Sequence, residues 1–254
     1  MRCALFLLAL CIPPAAGAGE CNARSGPYTS ALVELYTSEG CSSCPPADRW
    51  LSGLGRQGYA PGRVVPIALH VDYWDYIGWK DPYAKREFSL RQRKLTQLQR
   101  MALVYTPQVL LQGRDFRGWG TRAFDQAVAR INAIPAAARL QLDIVSQDAA
   151  GLRVAAAADL LQPGYVDDAV LYLAAYANGL QSRVSAGENR GRLLSHDYVV
   201  LEWQGPFAFA GGKLQMERLL PLLPRAVPTN SGVVGFVQNR RTAEVLQALM
   251  RPAC

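Results

Sequence analysis

The sequence has little of what several classes of binding protein require. It contains two histidines and a single CxxC pair, so it lacks the ligands of an ordinary structural zinc site. The formal net charge is +7, but the densest basic stretch, at residues 85–100, is interleaved with leucines like one face of a helix. Nucleic-acid binding requires a basic patch with groove-reading or aromatic side chains. We therefore predict no nucleic-acid partner, no resident metal and no bound cofactor.

No apolar run is long enough to span a bilayer, which takes about 20 residues. A short apolar run at residues 4–12 follows Arg2 and precedes small residues at 16–18. This is the pattern of a secretory signal peptide. We predict a cleaved signal over residues 1–18, and a periplasmic or secreted protein without stable membrane insertion. Removal of Arg2 lowers the net charge from +7 to +6.

The cysteines agree with export. Two of the six leave with the predicted signal, and four remain: Cys21, Cys41, Cys44 and Cys254. An even number in an oxidising compartment indicates pairing. Cys41 and Cys44 form the local pair. Cys21 and Cys254 lie near opposite ends of the chain, and either a disulfide or two unpaired thiols is compatible with the sequence.

Strands and helices alternate over residues 28–134. The apolar runs at 31–36 and 64–71 are typical of buried parallel strands, and a helical pattern separates them. Such strands end at the same edge of the sheet, where open α/β sheets hold their sites. We therefore expect Cys41 and His70 to lie in one neighbourhood.

Beyond about residue 135 the pattern changes to short alternating runs separated by Gly, Asp, Asn and Pro. The runs lie at residues 140–146, 152–159, 169–178, 198–204, 233–238 and 244–249. This pattern is typical of an antiparallel, sandwich-like module. The prediction is an α/β chain with one domain at 28–134 and a β-rich domain at 138–254.

The Cys41–Cys44 pair carries the strongest chemical signal. It stands between a strand and a helix, so Cys41 lies at or just before the first helical turn. Unpaired N–H groups and the positive end of the helix dipole favour a thiolate there, and the thiolate is the attacking species. Cys44, one turn later, can resolve a mixed disulfide. The alternatives are an inert structural disulfide and half of a metal site.

Two further segments accompany the pair. A cis-proline at Thr106-Pro107 would pack beside the CxxC, and an ordinary trans proline that starts a strand is the alternative. His70, Asp72 and Asp75 follow the second strand, and an acidic group there can raise a thiol pKa or relay a proton. A loop of aromatic residues whose polar groups only satisfy one another is the alternative.

The sequence of two loops predicts specific polar contacts. Asp81-Pro82 predicts a helix start, with Asp81 as the cap. The charged segment at residues 188–196 is predicted to tie itself together through arginine–carboxylate pairs, with ligand contact as the alternative.

These motifs resemble a known family. CSSCPPAD at residues 41–48 and HVDYWDYIGWKDP at 70–82 are similar to the signature of a bacterial family of secreted proteins, as are residues 104–111 and 187–192. That family is classed in the thioredoxin-like superfamily and has no known function. The resemblance implies a thioredoxin-like domain at 28–134 followed by the β-rich region. It implies no established reaction.

We predict an exported thiol–disulfide oxidoreductase with Cys41, Cys44 and Pro107 at its site. Its partners would be exported proteins with thiols or disulfides, or a redox partner protein. The alternatives are a non-catalytic envelope binding module on a thioredoxin scaffold, and metal handling through Cys41, Cys44 and His70. The sequence sets neither the oligomeric state nor the direction of exchange, since the potentials of such proteins span about 150 mV.

Overall fold

Strands dominate the part of the chain that the computed structural model describes, residues 21–222 and 228–254. The predicted signal peptide lies outside these residues. The helices are α1 (Pro45–Gly53), α2 (Arg86–Leu98) and α3 (Arg122–Ile131). The strands are β1 (Asn22–Arg24), β2 (Ala31–Thr37), β3 (Val64–His70), β4 (Gln108–Leu111), β5 (Arg114–Asp115), β6 (Ala138–Asp148), β7 (Gly151–Leu160), β8 (Ala169–Ala177), β9 (Leu180–Arg183), β10 (Leu193–His196), β11 (Val199–Ala208), β12 (Lys213–Leu220), β13 (Ser231–Asn239) and β14 (Val245–Pro252).

An eight-stranded sheet runs through the centre in the order β14-β13-β8-β11-β3-β2-β4-β5. β3 pairs in parallel with β2 and β11, and the other neighbours pair antiparallel. The mixed α/β class predicted from the sequence is thus confirmed. Four of these strands precede residue 135 and four follow it, so one sheet crosses the predicted domain boundary. The division into 28–134 and 138–254 stays a prediction about folding units.

A second sheet, β1-β6-β7-β12, packs against the β8, β13 and β14 side of the central sheet. Its strands alternate as the sequence predicts: Leu140, Leu142 and Ile144 of β6 are buried between more exposed polar neighbours. Each such leucine or isoleucine contributes about 1.5–3 kcal/mol by leaving water. The result is a sandwich between two sheets.

β2 is buried on both faces because helices cover both. α1 and α3 pack on the face that carries Val33 and Leu35, and α2 packs on the face that carries Leu32 and Tyr36. Side chains alternate along a strand, so Thr37 at the end of β2 faces α1. His70, its partner at the end of β3, shares that face. This register brings the ends of both strands under the start of α1.

The ends of the described chain are joined. Cys21 and Cys254 form a disulfide across a sequence separation of 233 residues, with Cα atoms 6.0 Å apart. Of the two alternatives compatible with the sequence, the structure therefore has the disulfide. On the loop-entropy model, closing so long a loop stabilises the fold by about 5 kcal/mol.

Candidate functional site

Cys41 and Cys44 form a disulfide at the start of α1. Cys44 is the N-cap, and Pro45 follows at the first helical position. The Ser43 hydroxyl lies 3.3 Å from the Cys41 sulfur. Both cysteines are fully buried. An incoming thiol therefore reaches either sulfur only after neighbouring atoms move.

Two loops flank the pair. Gly40 packs so closely under the turn at Asp72–Ile77 that a β-carbon on it would lie 3.0 Å from the β-carbon of Trp74. Gly187 packs against Ile77 of the same turn, where a β-carbon would lie 2.9 Å from Cδ1. A side chain at either glycine would push these loops away from the CxxC.

The Thr106-Pro107 peptide bond, for which the sequence predicts a cis form, is cis. The Trp74 indole N–H donates to the Thr106 hydroxyl at 2.8 Å. Since Trp74 also packs on Gly40, this single side chain joins the Pro107 loop to the CxxC loop.

Both histidines of the sequence lie together, with ring centroids 4.9 Å apart. Nδ1 of His70 lies 2.7 Å from Oδ2 of Asp81, and Nε2 of His196 lies 3.1 Å from Oε1 of Glu39. These four side chains are at most 3% exposed. With Asp48 they form what we call the histidine cluster: Glu39, Asp48, His70, Asp81 and His196.

Asp81 is the central acceptor of the cluster. Besides His70, its carboxylate accepts the backbone N–H groups of Glu39 at 2.8 Å and Tyr83 at 2.9 Å. The prediction that Asp81 caps a helix is therefore wrong. The backbone after Asp81 forms a turn, and Lys85 is extended and donates its N–H to the His70 carbonyl oxygen, so α2 begins only at Arg86.

The charges within the cluster support one another. Burial by itself lowers the pKa of His70, but the carboxylate of Asp81, aided by Asp48 and Glu39, outweighs burial and raises that pKa to about 9. Burial likewise raises the pKa of Asp81, and the His70 charge and hydrogen bond overcome it, so this pKa is lowered. At neutral pH His70 is an imidazolium ion beside an ionised Asp81.

Asp48 lies one helical turn after Cys44, on the buried side of α1. Burial raises the pKa of its carboxyl group, and the two histidines offset the rise only in part. Among the described residues, Asp48 Oδ1, His70 Nε2 and His196 Nδ1 have no hydrogen-bond partner. A cavity of about 170 Å³ reaches Asp48 and His196 between Pro45, Arg49 and residues 193–195. A proton on Asp48 thus has a route towards solvent.

Residues 187–192, which we call the clasp loop, hold the CxxC loop from the other half of the chain. The Glu188 carboxylate accepts the Ser42 N–H at 2.9 Å. The buried amide of Asn189 donates to the carbonyl oxygens of Glu39 and Cys41, both at 2.9 Å. The predicted arginine–carboxylate pairing of this segment is therefore wrong for Glu188, because its partner is a backbone N–H 146 residues away.

The predicted supporting residues separate. His70 belongs to the histidine cluster, whereas Asp72 and Asp75 form hydrogen bonds that hold the turn at Asp72–Ile77 in place. Asp72 exchanges hydrogen bonds with Ser89 of α2, and Asp75 accepts the Asp81 N–H at 3.3 Å. These two aspartates thus have the loop-bonding contacts that the sequence offered as the alternative.

The sequence analysis gave five participants no role beside the CxxC: Glu39, Asp48, Asp81, Glu188 and Asn189. Asp48 had a local signal, because a residue four positions after Cys44 lies on the same helix face. Asp81 also had one, since it follows His70 by 11 residues in the same motif. Glu39, Glu188 and Asn189 meet partners at least 40 residues away, and no short-range spacing reports such contacts.

A family model described as a protein of unknown function (DUF1223) matches residues 32–238, most of the chain. The chain belongs to the DUF1223 family. The predicted membership of a family without known function is thereby confirmed. No curated protein matches this DUF1223 member.

Two solved structures resemble this DUF1223 protein. Protein AGR_C_4864 from Agrobacterium tumefaciens is 25% identical, with a TM-score of 0.65 over 90% of this chain and 96% of the other. HBP35 of Porphyromonas gingivalis is 14% identical, with a TM-score of 0.67 over 90% of this chain and 76% of the other. At that identity the likeness to HBP35 shows the fold alone.

Three findings concern the described part of this DUF1223 protein. The two disulfides found there fit a protein exported to an oxidising compartment. In the described ranges, 21–222 and 228–254, no helix is long and apolar enough to cross a membrane. Within the same ranges no three His, Cys, Asp or Glu side chains are placed together to hold a metal ion.

Proposed function

We propose that this protein is a periplasmic or secreted thiol–disulfide oxidoreductase of the thioredoxin-like type. In its exchange with partner proteins, Cys41 attacks and Cys44 resolves. The observation that carries the proposal is the position of the pair: a CxxC at the start of α1, between parallel strands β2 and β3, joined through Trp74 to cis Pro107. Fold alone does not imply activity, so the proposal rests on this site.

The element order supports the thioredoxin-like assignment. β2, α1 and β3 form a parallel β-α-β unit, and α2 leads on to the antiparallel pair β4 and β5 and then to α3. The four strands lie in the order β3-β2-β4-β5. The β-rich part extends this sheet through β11 and brings the clasp loop and His196 to the CxxC.

The exchange balances without a cofactor. The Cys41 thiolate attacks a disulfide of the partner, so that a mixed disulfide forms and the first partner sulfur leaves as a thiolate. Cys44 then attacks the Cys41 sulfur and releases the second partner sulfur. Two electrons pass to the partner, and the pair becomes a disulfide. The reverse sequence oxidises a partner dithiol.

Asp48 supplies the proton step at Cys44. Cys44 is buried, so its thiol must lose a proton before it attacks and must regain one in the reverse direction. A buried carboxyl group with a raised pKa one turn away is suited to that transfer. The cavity at His196 and Asp48 gives the proton its exit.

Burial of both sulfurs selects for partners that displace the flanking loops. Tyr76, on the turn at Asp72–Ile77, is 82% exposed, and Leu103, just before the Pro107 loop, is 72% exposed. Both side chains are on segments that a partner must displace, so a polypeptide can contact them as it reaches the pair.

Single cysteine variants test the proposal. We expect the reduced protein to reduce a model protein disulfide, Cys41→Ser to abolish the reaction, and Cys44→Ser to accumulate a mixed disulfide with the substrate, detected by non-reducing electrophoresis. The control is Cys21→Ser with Cys254→Ser, which removes the other disulfide at a cost of about 5 kcal/mol. Circular dichroism measures its folded fraction, and the folded variant should retain exchange. Equal exchange by wild type and Cys41→Ser would refute the proposal.

One observation favours a second function. Complete burial of both cysteines suits an envelope binding module in which the pair is structural. Retention of the protein's biological effect by a Cys41→Ser, Cys44→Ser variant would support this alternative. Metal handling through Cys41, Cys44 and His70 stays a prediction, tested by titrating the reduced protein and its His70→Ala variant with zinc or copper(I).

A further inference from the structure

The start of α1 offers few N–H donors to a thiolate at Cys41. Pro45 and Pro46 have none. The Cys44 N–H already donates to the Cys41 carbonyl oxygen at 3.2 Å, and the Ser42 N–H donates to Glu188. The helix start therefore stabilises a thiolate less than the CxxC spacing alone suggests.

Glu188 adds a negative charge beside the pair. Its carboxylate is bonded to the residue that directly follows Cys41, and its side chain is exposed. Hydrogen bonds from the Ser42 hydroxyl, and then from the Ser42 N–H, hold the pKa of Glu188 below its ordinary value. The group therefore stays ionised throughout the range in which a cysteine titrates.

We propose that Glu188 sets the redox balance of the Cys41–Cys44 pair: its charge opposes the Cys41 thiolate and so makes the disulfide harder to reduce. The clasp loop fixes the distance over which this charge acts, because Asn189 is bonded to the Cys41 carbonyl oxygen. Glu188 is thus a tuning residue, which acts on the Cys41 thiolate through its charge. The inference deepens the proposed oxidoreductase function and biases the pair towards giving electrons to partner disulfides.

Other ionisable groups surround the pair and stay unchanged when Glu188 is replaced. The neighbouring elements carry Glu39, Asp48, Arg49, His70, Asp72, Asp75, Arg190, Arg192 and His196. Those of the histidine cluster are buried, and the two histidines are bonded to Asp81 and Glu39, so their charges are common to wild type and variants. A difference between wild type and a Glu188 variant therefore reports Glu188 alone.

The test is equilibration of the full chain with glutathione. Two glutathione molecules supply two electrons and two protons, the Cys41–Cys44 bond breaks, and one glutathione disulfide forms. Glu188→Gln keeps an acceptor for the Ser42 N–H but loses the charge. We expect the equilibrium constant for reduction of the Cys41–Cys44 disulfide by glutathione to rise about threefold to tenfold in this variant. The pKa of the Cys41 thiol, followed by thiolate absorbance, should fall in parallel.

Three comparisons make the test specific. Glu217→Gln removes a carboxylate from the surface of β12, where it pairs with Arg153, and should change nothing. High salt should shrink the difference between wild type and Glu188→Gln, since an exposed charge is screened. Glu188→Ala loses both the charge and the acceptor, so it separates a charge effect from a loop-holding effect.

The result that overturns the inference is a Glu188→Gln protein with the wild-type constant and thiol pKa. A shift in Glu188→Ala alone also overturns it, because the hydrogen bond would then be the cause. Neither measurement requires a partner or turnover. Failure here is therefore distinct from failure of the oxidoreductase proposal, which is decided by the Cys41→Ser exchange assay.

Discussion

Two buried ionic clusters lie on opposite faces of the sheet around β2, and they are paired differently. In the first, Arg91 of α2 binds Glu34 of β2 through two hydrogen bonds of 2.7 and 3.0 Å. Its guanidinium also donates to Gln238 at 3.1 Å. The ring centroids of Tyr172, Trp203 and Phe236 lie 4.9–5.2 Å from the guanidinium carbon of Arg91. We call these residues the arginine cluster.

The two clusters differ in how many of their buried polar atoms lack a hydrogen-bond partner. Within the described residues, no buried polar side-chain atom of the arginine cluster lacks a partner, whereas the histidine cluster leaves one atom each on Asp48, His70 and His196. The Glu34 carboxylate, aided by the phenol groups of Tyr36 and Tyr172, raises the pKa of Arg91 despite burial, so Arg91 keeps its proton throughout the working pH range. The histidine cluster contains groups that titrate. One cluster fixes the fold, and the other can exchange protons beside the disulfide.

The largest effect is expected from breaking the arginine cluster. Arg91→Met leaves Glu34 buried without a compensating charge, which should lower the free energy of unfolding by about 3–5 kcal/mol in urea denaturation. The double variant Glu34→Gln, Arg91→Met should recover much of this loss, because no charge is then left unpaired. A loss below about 1 kcal/mol in Arg91→Met would contradict a structural role for this pair.

The sequence predicts the parts of the molecule that depend on local pattern. The apolar runs predict β2 and β3 within one residue at their ends, because a strand covered on both faces leaves a continuous apolar run. Cys41 and Cys44 lie between β2 and α1, and the cis Thr106-Pro107 bond directly precedes β4, as the order of the motifs along the chain predicts.

Charge partners depend on long-range contacts, and the sequence does not report them. Glu34 interrupts an apolar run, and its partner Arg91 lies 57 residues away on α2. Glu39 bonds His196 across 157 residues. These pairs exist because tertiary packing brings α2 and the end of β10 against β2, although β10 itself pairs with β9 in a separate two-stranded sheet.

A smaller change in the free energy of unfolding is expected when the pH is raised through the range in which His70 loses its proton. The pKa of His70 is about 9 in the folded protein against an ordinary 6.5, so protonation favours the folded state. This stabilisation is complete below pH 6.5 and is lost as the pH rises towards 9. We expect the free energy of unfolding of the oxidised protein to fall across that range in urea titrations.

His70→Asn is the control for this titration. Asparagine can still donate a hydrogen bond to Asp81 but cannot titrate, so the fall assigned to His70 should disappear. In Asp81→Asn, loss of the carboxylate should move the fall to lower pH, because the main group that raises the pKa of His70 is gone. If wild type and His70→Asn lose stability equally over this range, His70 is not the group responsible.

The smallest effect on stability is expected from Asp48→Asn. This variant also distinguishes most clearly between the structural role of the arginine cluster and the proton-transfer role of the histidine cluster. Burial already disfavours the charged carboxylate, so the neutral amide should lower the free energy of unfolding by no more than about 2 kcal/mol, the cost of a buried N–H without an acceptor. Exchange should nevertheless slow, because asparagine cannot take the proton of Cys44. Single-turnover rates against a model disulfide at several pH values measure this, with Ser52→Ala, a substitution on α1 away from the cavity, as the control. A loss of more than about 2 kcal/mol with unchanged exchange rates would mean that Asp48 acts as Glu34 does. Stability retained with slower exchange would mean that Asp48 serves proton transfer and contributes little to the stability of the fold.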